Sequence, residues 1–278
     1  MSEGIDVDAF VRFEAEGWSR VPEGYHRFFG PITGRAAEPL LDAAGVGAGT
    51  RVLDVATGPG YLAGRAAARG ASVVGVDFAP EILALATDLN PAVEFRRGDA
   101  HDLPFEDCSF DAVVSGFLLP HLGDHAQAMG ELVRVLTPAG RLAVSTWDLP
   151  ERTAIPGLLL AAVQQAGANP PADLPAGPPF FQYSDDDALM GLLRSAGLDD
   201  VAVARLAFTH RLSSVTTLWD GLLTGTVRAA PLVRRQPEPV QGRIRAAFDD
   251  LAARYHTGGS LELPVSIKLA SGQKPSGA

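Results

Sequence analysis

The sequence is poor in cysteine, in long apolar runs and in positive charge, and each shortage removes a class of protein. A single cysteine, Cys108, excludes a disulfide framework, a Cys-rich zinc site and an iron–sulfur cluster. With no activating basic neighbour in sequence, Cys108 itself reads as structural. Apolar stretches such as 155–163 and 117–122 are broken by Pro156, Gly157 and Pro120, and fall short of the roughly 20 residues that cross a bilayer. Lys and Arg number 23 against 33 Asp and Glu, a net charge of −10, which disfavours phosphate-driven binding of nucleic acid. Residues 1–6 carry no basic segment followed by an apolar one, so no secretory leader and a cytoplasmic setting are expected. No metal site is expected.

What is present is an apolar, glycine-rich chain of 278 residues, 46% of them hydrophobic. Between residues 50 and 150 short apolar runs alternate with helical stretches. Arg51 to Val55 is a β-branched run closed by Gly58-Pro59-Gly60 and followed by an Ala-rich helix. Ser72 to Asp77 leads into a helix opened by Pro80. Val93 to Arg96, Phe110 to Ser115 and Arg141 to Thr146 complete the series, with a helix over about 126–136 ended by Thr137 to Gly140. Buried strands separated by helices imply a parallel, doubly wound α/β sheet with both faces covered. Ligands of such sheets sit beyond the carboxyl ends of the strands.

Outside this core, residues 1–44 read as an N-terminal helical segment, 45–149 as the α/β core and 150–182 as a Pro-rich insertion around one helix. Residues 183–212 form a core helix and strand, 213–257 a helical cap, 258–270 a final strand carrying Pro264, and 271–278 a frayed tail.

The chemistry concentrates at the strand ends. In Asp54-Val55-Ala56-Thr57-Gly58-Pro59-Gly60 the glycines let the backbone turn sharply against a ligand. Gly58-x-Gly60-x-x-Ala63 also fits the relaxed dinucleotide fingerprint, so a NAD(P)-dependent oxidoreductase is the competing reading. Asp54 weighs against it, because a carboxylate there repels a pyrophosphate but suits an ammonium group or a loop around a cationic ligand. Asp77 is placed to accept from two ribose hydroxyls, and Asp99 beside Ala100 from an adenine amino group. Each acid alone has a structural alternative: a turn cap for Asp54, a helix cap for Asp77, local backbone bonds for Asp99. Together they describe a site for a compact adenosine ligand without phosphates.

These runs, with Val74 to Phe78, Gly98 to Phe105 and Ser109 to Ser115, resemble the class I S-adenosylmethionine-dependent methyltransferases. The resemblance is to the branch that holds the ubiquinone and menaquinone biosynthesis enzymes, and covers roughly residues 45–147. It implies a mostly parallel seven-stranded Rossmann-like sheet with a helical cap, and S-adenosylmethionine as cofactor with S-adenosylhomocysteine as product. The turn Asp54, Ala56, Thr57, Gly58 and Gly60 would surround the methionine part, Asp77 the ribose, and Asp99 with Ala100 the adenine. Phe78 would pack on the adenine face, and Ser115 with Gly116 would line the transfer pocket. Ala56 stands where the fullest family pattern has glycine, which puts the turn geometry in question.

The implied reaction is methyl transfer to a small organic acceptor, at oxygen or nitrogen before carbon, by a monomer or homodimer. Cofactor binding without methylation is the alternative. His121, in Phe117 to Leu122 after the fourth strand, is the candidate base, or else a histidine packed on the cofactor loop. His101 and His125 read as surface residues and His210 as a strand residue. By the resemblance the N-terminal segment is a lid, with Trp18 and Tyr25 closing on the methionine end; Phe28 and Phe29 read as core, and His26 stays open. Phe180, Phe181, Tyr183 and Trp219 are candidates for the acceptor pocket or for cap core.

Overall fold

The computed structural model describes residues 5–277; Met1 to Gly4, with the reading of that end as leaderless, and Ala278 of the expected tail lie outside it. The strands are β1 (Arg51–Val55), β2 (Ser72–Asp77), β3 (Glu94–Arg97), β4 (Phe110–Gly116), β5 (Leu136–Trp147), β6 (Asp199–Leu212), β7 (His256–Thr257) and β8 (Ser260–Gln273). They form one sheet in the order β3-β2-β1-β4-β5-β8-β6, and the two-residue β7 hangs on β8 as a hairpin. From β3 to β5 all pairings are parallel, while β8 runs antiparallel to both β5 and β6.

The helices are α1 (Val7–Trp18), α2 (Pro22–Thr33), α3 (Ala37–Ala43), α4 (Tyr61–Ala68), α5 (Pro80–Leu89) and α6 (His125–Arg134). They continue with α7 (Ala154–Gln165), α8 (Asp186–Ser195), α9 (Val215–Gly225), α10 (Ala229–Arg234) and α11 (Glu238–Ala253). Local chemistry sets their starts. Pro22 and Pro80 occupy first-turn positions, where a missing N–H costs nothing. Asp6, Asp124, Asp185 and Ser214 cap α1, α6, α8 and α9 by accepting from backbone N–H groups.

Both faces of the sheet are buried, as continuous apolar strands require. Val52, Val114 and Ala143 belong to a core shared with α3, α4 and α7, whereas Leu53, Val113 and Leu142 belong to a second core shared with α6 and α8. Successive residues thus alternate between two cores, and each fully buried Leu or Val contributes about 1.5–3 kcal/mol. The N-terminal and cap helices meet where α2 crosses α9. A Cβ on Gly24 would stand 2.1 Å from the Thr224 carbonyl oxygen, so only glycine allows the two backbones to approach this closely.

Three expectations are corrected. Helix α6 ends at Arg134, and residues 136–140 open β5 instead of ending the helix: Pro138 cannot continue a helix, Leu136 pairs with Phe110, and the ladder shifts register before Ala112. The chain does not fray at Ser271. Ser271, Gly272 and Gln273 pair with Ala143, Leu142 and Arg141, because β8 lies between two long strands and gains ladder bonds on both sides. Cys108, in a left-handed turn (φ 56°), is exposed, with Lys274 Nζ 3.8 Å from its Sγ. Pro264 lies in the part of β8 beyond Ile267, the last residue paired to β5, so one side of the strand there has no ladder to lose.

Candidate active site

The site starts from the reversal between β1 and α4. Ala56 and Gly58 both have φ 54° and Gly60 has φ 78°, so three of five successive residues are left-handed. Asp54 holds this turn from beneath. It is fully buried; its Oδ2 accepts from the Thr57 hydroxyl at 2.7 Å and the Ala63 N–H at 3.0 Å, and its Oδ1 has no partner. Burial pushes its carboxyl up to about 7, against the two hydrogen bonds. Of the two roles open to Asp54, its contacts are those of a loop organiser.

Asp77, at the end of β2, joins the turn to the next strand. Its Oδ2 accepts from the Gly58 N–H at 3.1 Å and its Oδ1 from the Ala79 N–H at 3.1 Å. It also faces a cavity, and burial raises its carboxyl to about 6 despite those donors.

That cavity has a volume of 470 Å³ and lies beyond the ends of β1, β2 and β4. Of the residues picked from sequence, Trp18, Tyr25, Ala56, Gly58, Asp77, Phe78, Gly116 and His121 line it. A recess of 40 Å³ shares Tyr25, Ala56, Gly58 and Gly116, and adds Thr57, Tyr61 and Ser145. Ser115 is spent on structure, its hydroxyl donating to the Val55 carbonyl at 2.7 Å. Gly60 is pressed against Phe95 and Asn90, behind the turn.

Asp99 and Ala100 lie outside both linings. The Asp99 carboxylate accepts from the His101 backbone N–H at 2.9 Å and pairs with His101 Nδ1 at 2.8 Å, and that side-chain bond holds it below the usual carboxylate range. His101 is therefore no surface residue: its Nε2 accepts from the Asp124 N–H. His125 is likewise half-buried, against the Leu119 carbonyl and Tyr183. His210 lies in β6, and His26 pairs with the Tyr61 hydroxyl at 2.7 Å.

The N-terminal helices close the cavity over the turn. Trp18 packs edge-on against Tyr25 and against His121, each at 5.1 Å between ring centres. Phe28 and Phe29 are core, and Phe29 also reaches the cavity. Phe180 lines the cavity, but Phe181, Tyr183 and Trp219 do not: Trp219 packs on Phe248 inside the cap, and Tyr183 on His125. Phe117, a cavity residue against Trp147, is held at φ 61°, a strained conformation for a bulky side chain.

Two charged residues went unnoticed in sequence, Arg228 in the cavity lining and Glu14 behind His121. Glu14, 1% exposed, accepts at Oε2 from His121 Nδ1 (2.9 Å) and from the Trp18 indole N–H (3.0 Å). Arg228 donates to the carbonyls of Pro120 and Pro178, both at 2.9 Å, and its Nε stands 4.0 Å from Glu14 Oε1. The signal for Glu14 was present: Phe10, Glu14 and Trp18 repeat at four-residue spacing on one face of α1. Among the described residues no cluster of three or more His, Cys, Asp or Glu is arranged to hold a metal.

The family profile described as "Methyltransferase domain" matches residues 53–144, from β1 into β5. An uncharacterized protein of Mycobacterium tuberculosis is 38% identical over 158 residues, 55% of this chain and 56% of its own length. The chain thus spans little more than half of that relative. A demethylmenaquinone methyltransferase of Renibacterium salmoninarum is 33% identical over 175 residues, 60% of this chain and 74% of its own length. Among solved structures, the YcgJ protein of Bacillus subtilis is similar with a TM-score of 0.57 at 19% identity, over 87% of this chain and 98% of its own, which is a likeness of fold.

Proposed function

Because this chain belongs to the class I S-adenosylmethionine-dependent methyltransferase family, in the branch of the demethylmenaquinone methyltransferases, we propose that it transfers the methyl group of S-adenosylmethionine to a small organic acceptor. The observation that carries the reading is one cavity shared by the glycine turn, Asp77 and an aromatic wall with a single histidine.

The donors fit that cofactor. Asp77 keeps acceptor capacity on both oxygens for ribose hydroxyls, and Phe78 beside it offers an adenine face. Gly58 exposes backbone with only Ile82 Cδ1, at 4.0 Å, near where a Cβ would stand. The small recess, lined by Thr57, Tyr61 and Ser145, is assigned to the amino-acid tail, and the Ser145 Oγ there is buried without a partner. Asp99 with Ala100 lies outside the cavity lining, and in this reading it would serve the adenine end through Oδ2, since both His101 bonds fall on Oδ1; Asp54 acts through the turn.

Bound there, the cofactor supplies an electrophilic methyl carbon on a sulfonium. The chain contributes alignment and dryness. Tyr25, Trp18 and Phe117 line the cavity, and in a displacement of this kind alignment and exclusion of water by such a wall would supply most of the acceleration. His121 stands on the rim as the base for an acceptor that must lose a proton, so oxygen or nitrogen is favoured and carbon remains open. No helix among the described residues is long and apolar enough to cross a membrane. The reading is of a cytoplasmic enzyme, monomeric or homodimeric, acting on small molecules and not on nucleic acid. Transfer of tritium from methyl-labelled cofactor into a panel of phenols, amines and quinols tests it. Label in one acceptor class supports methylation, and cofactor binding without label in any class favours the non-methylating alternative.

A further inference from the structure

Behind His121, which lines the cavity, lies a buried carboxylate for which cofactor binding has no use. A carboxylate is costly to bury unless it is paired, and an apolar side chain at Glu14 would pack between Phe10 and Trp18 as well or better. Glu14 instead receives the Nδ1 side of His121 and the indole N–H of Trp18 on one oxygen, while the other oxygen makes no hydrogen bond and stands 4.0 Å from Arg228 Nε. A carboxylate that accepts from Nδ1 makes Nδ1–H the protonated nitrogen, so the neutral ring carries its lone pair on Nε2. The ring is clamped as well as polarised. Trp18 stands edge-on to it at 5.1 Å and Phe180 at 6.4 Å, and His121 lines the cavity. The charged side chains around it come from three elements: Glu14 from α1, Asp77 from the end of β2 and Arg228 from the loop before α10.

We propose that Glu14 is a positioning residue that holds His121 as the Nδ1–H tautomer with Nε2 free for the acceptor, and that the acceptor is an apolar molecule bearing a hydroxyl that must lose its proton. The proposal rests on the methyl-transfer reading. The step balances: the acceptor oxygen bonds to the methyl carbon as the carbon–sulfur bond breaks, and sulfur keeps the electron pair. The hydroxyl proton moves to His121 Nε2, giving an imidazolium beside Glu14, and leaves to solvent when the product departs. Because α1 provides Glu14, the base is complete only with the N-terminal helices in place.

The test uses the full chain. Nitrogen chemical shifts of histidine-labelled protein report the tautomer of His121, assigned by its loss in His121→Asn. The Nδ1–H form is expected in the wild type and the Nε2–H form, usual in water, in Glu14→Leu, which removes the acceptor oxygen; an Nε2–H ring in the wild type overturns the proposal even if Glu14→Leu fails to fold. Two probe acceptors then separate positioning from mere structure: naphthol, which must lose a proton, and N,N-dimethylaniline, which has none to lose. For naphthol, kcat should fall at least about tenfold in Glu14→Gln with KM unchanged, and the deficit should shrink at alkaline pH as the probe ionises unaided. Methylation of dimethylaniline alone, an unchanged kcat for naphthol, or no transfer to either probe by protein that binds S-adenosylhomocysteine overturns it. Failure to bind S-adenosylhomocysteine strikes the methyl-transfer reading instead, and leaves the tautomer result to judge Glu14.

Discussion

Ala56 and Gly58 share φ 54° within one turn, so exchanging their side chains reads the same backbone strain with opposite sign. Ala56→Gly removes a left-handed alanine, a relief of about 1–2 kcal/mol. Against this stand the greater freedom of glycine in the unfolded chain, about 0.4–1 kcal/mol, and the loss of a half-buried methyl, about half of 0.8 kcal/mol. The expected net is a stabilisation of about 0.5 kcal/mol. Gly58→Ala adds the strain, regains the chain-entropy contribution and clashes with nothing, since its Cβ would meet only Ile82 Cδ1 at 4.0 Å. It should cost about 0.5–1 kcal/mol. For a chain of this size each kcal/mol moves Tm by about 2–4 °C, so calorimetry of ligand-free protein should show Ala56→Gly up by about 1–2 °C and Gly58→Ala down by about 1–4 °C. A fall of about 2 °C or more in Ala56→Gly would refute the reasoning, because the methyl contact would then outweigh the backbone.

Burial raises the Asp77 carboxyl to about 6, so its contribution to ligand-free stability is fully present below the unfolded value near 4 and is lost as pH rises through 6. Ribose hydroxyls favour its ionised form, and S-adenosylhomocysteine should therefore bind at constant strength above pH 7 and progressively more weakly below 6, a slope that calorimetry should find flattened in Asp77→Asn. Gly24→Ala drives a Cβ into the Thr224 carbonyl and should destabilise the protein by roughly 1–3 kcal/mol, read by urea unfolding. A neutral result there would mean that α2 and α9 do not cross as closely as described.

Strand ends and the glycine turn were legible because they depend on local pattern: apolar runs of strand length, glycines after them, acids closing β1 and β2. Asp99 shows the limit. Its place after β3 is a matter of sequence, but its pairing with His101 depends on a loop whose path no periodicity encodes. The length of β8 was also hidden, since Ser271 to Gln273 are polar or small and are ordered only by β5 and β6 beside them. Glu14 and His121 lie in different elements and far apart in sequence, and only the closure of α1 over the β4 end brings them to 2.9 Å. The spacing of Phe10, Glu14 and Trp18 marks Glu14's face of α1, but nothing in either segment alone marks its partner.

The central claim, that the strand-end cavity seats S-adenosylmethionine through Asp77, is tested most directly by titrating S-adenosylhomocysteine into wild-type protein and Asp77→Ala at pH 8. Saturable one-to-one binding, weakened by about 1–3 kcal/mol in the variant, is the predicted result. Equal affinity in both proteins, or no binding heat in the wild type at any ligand concentration, would contradict it.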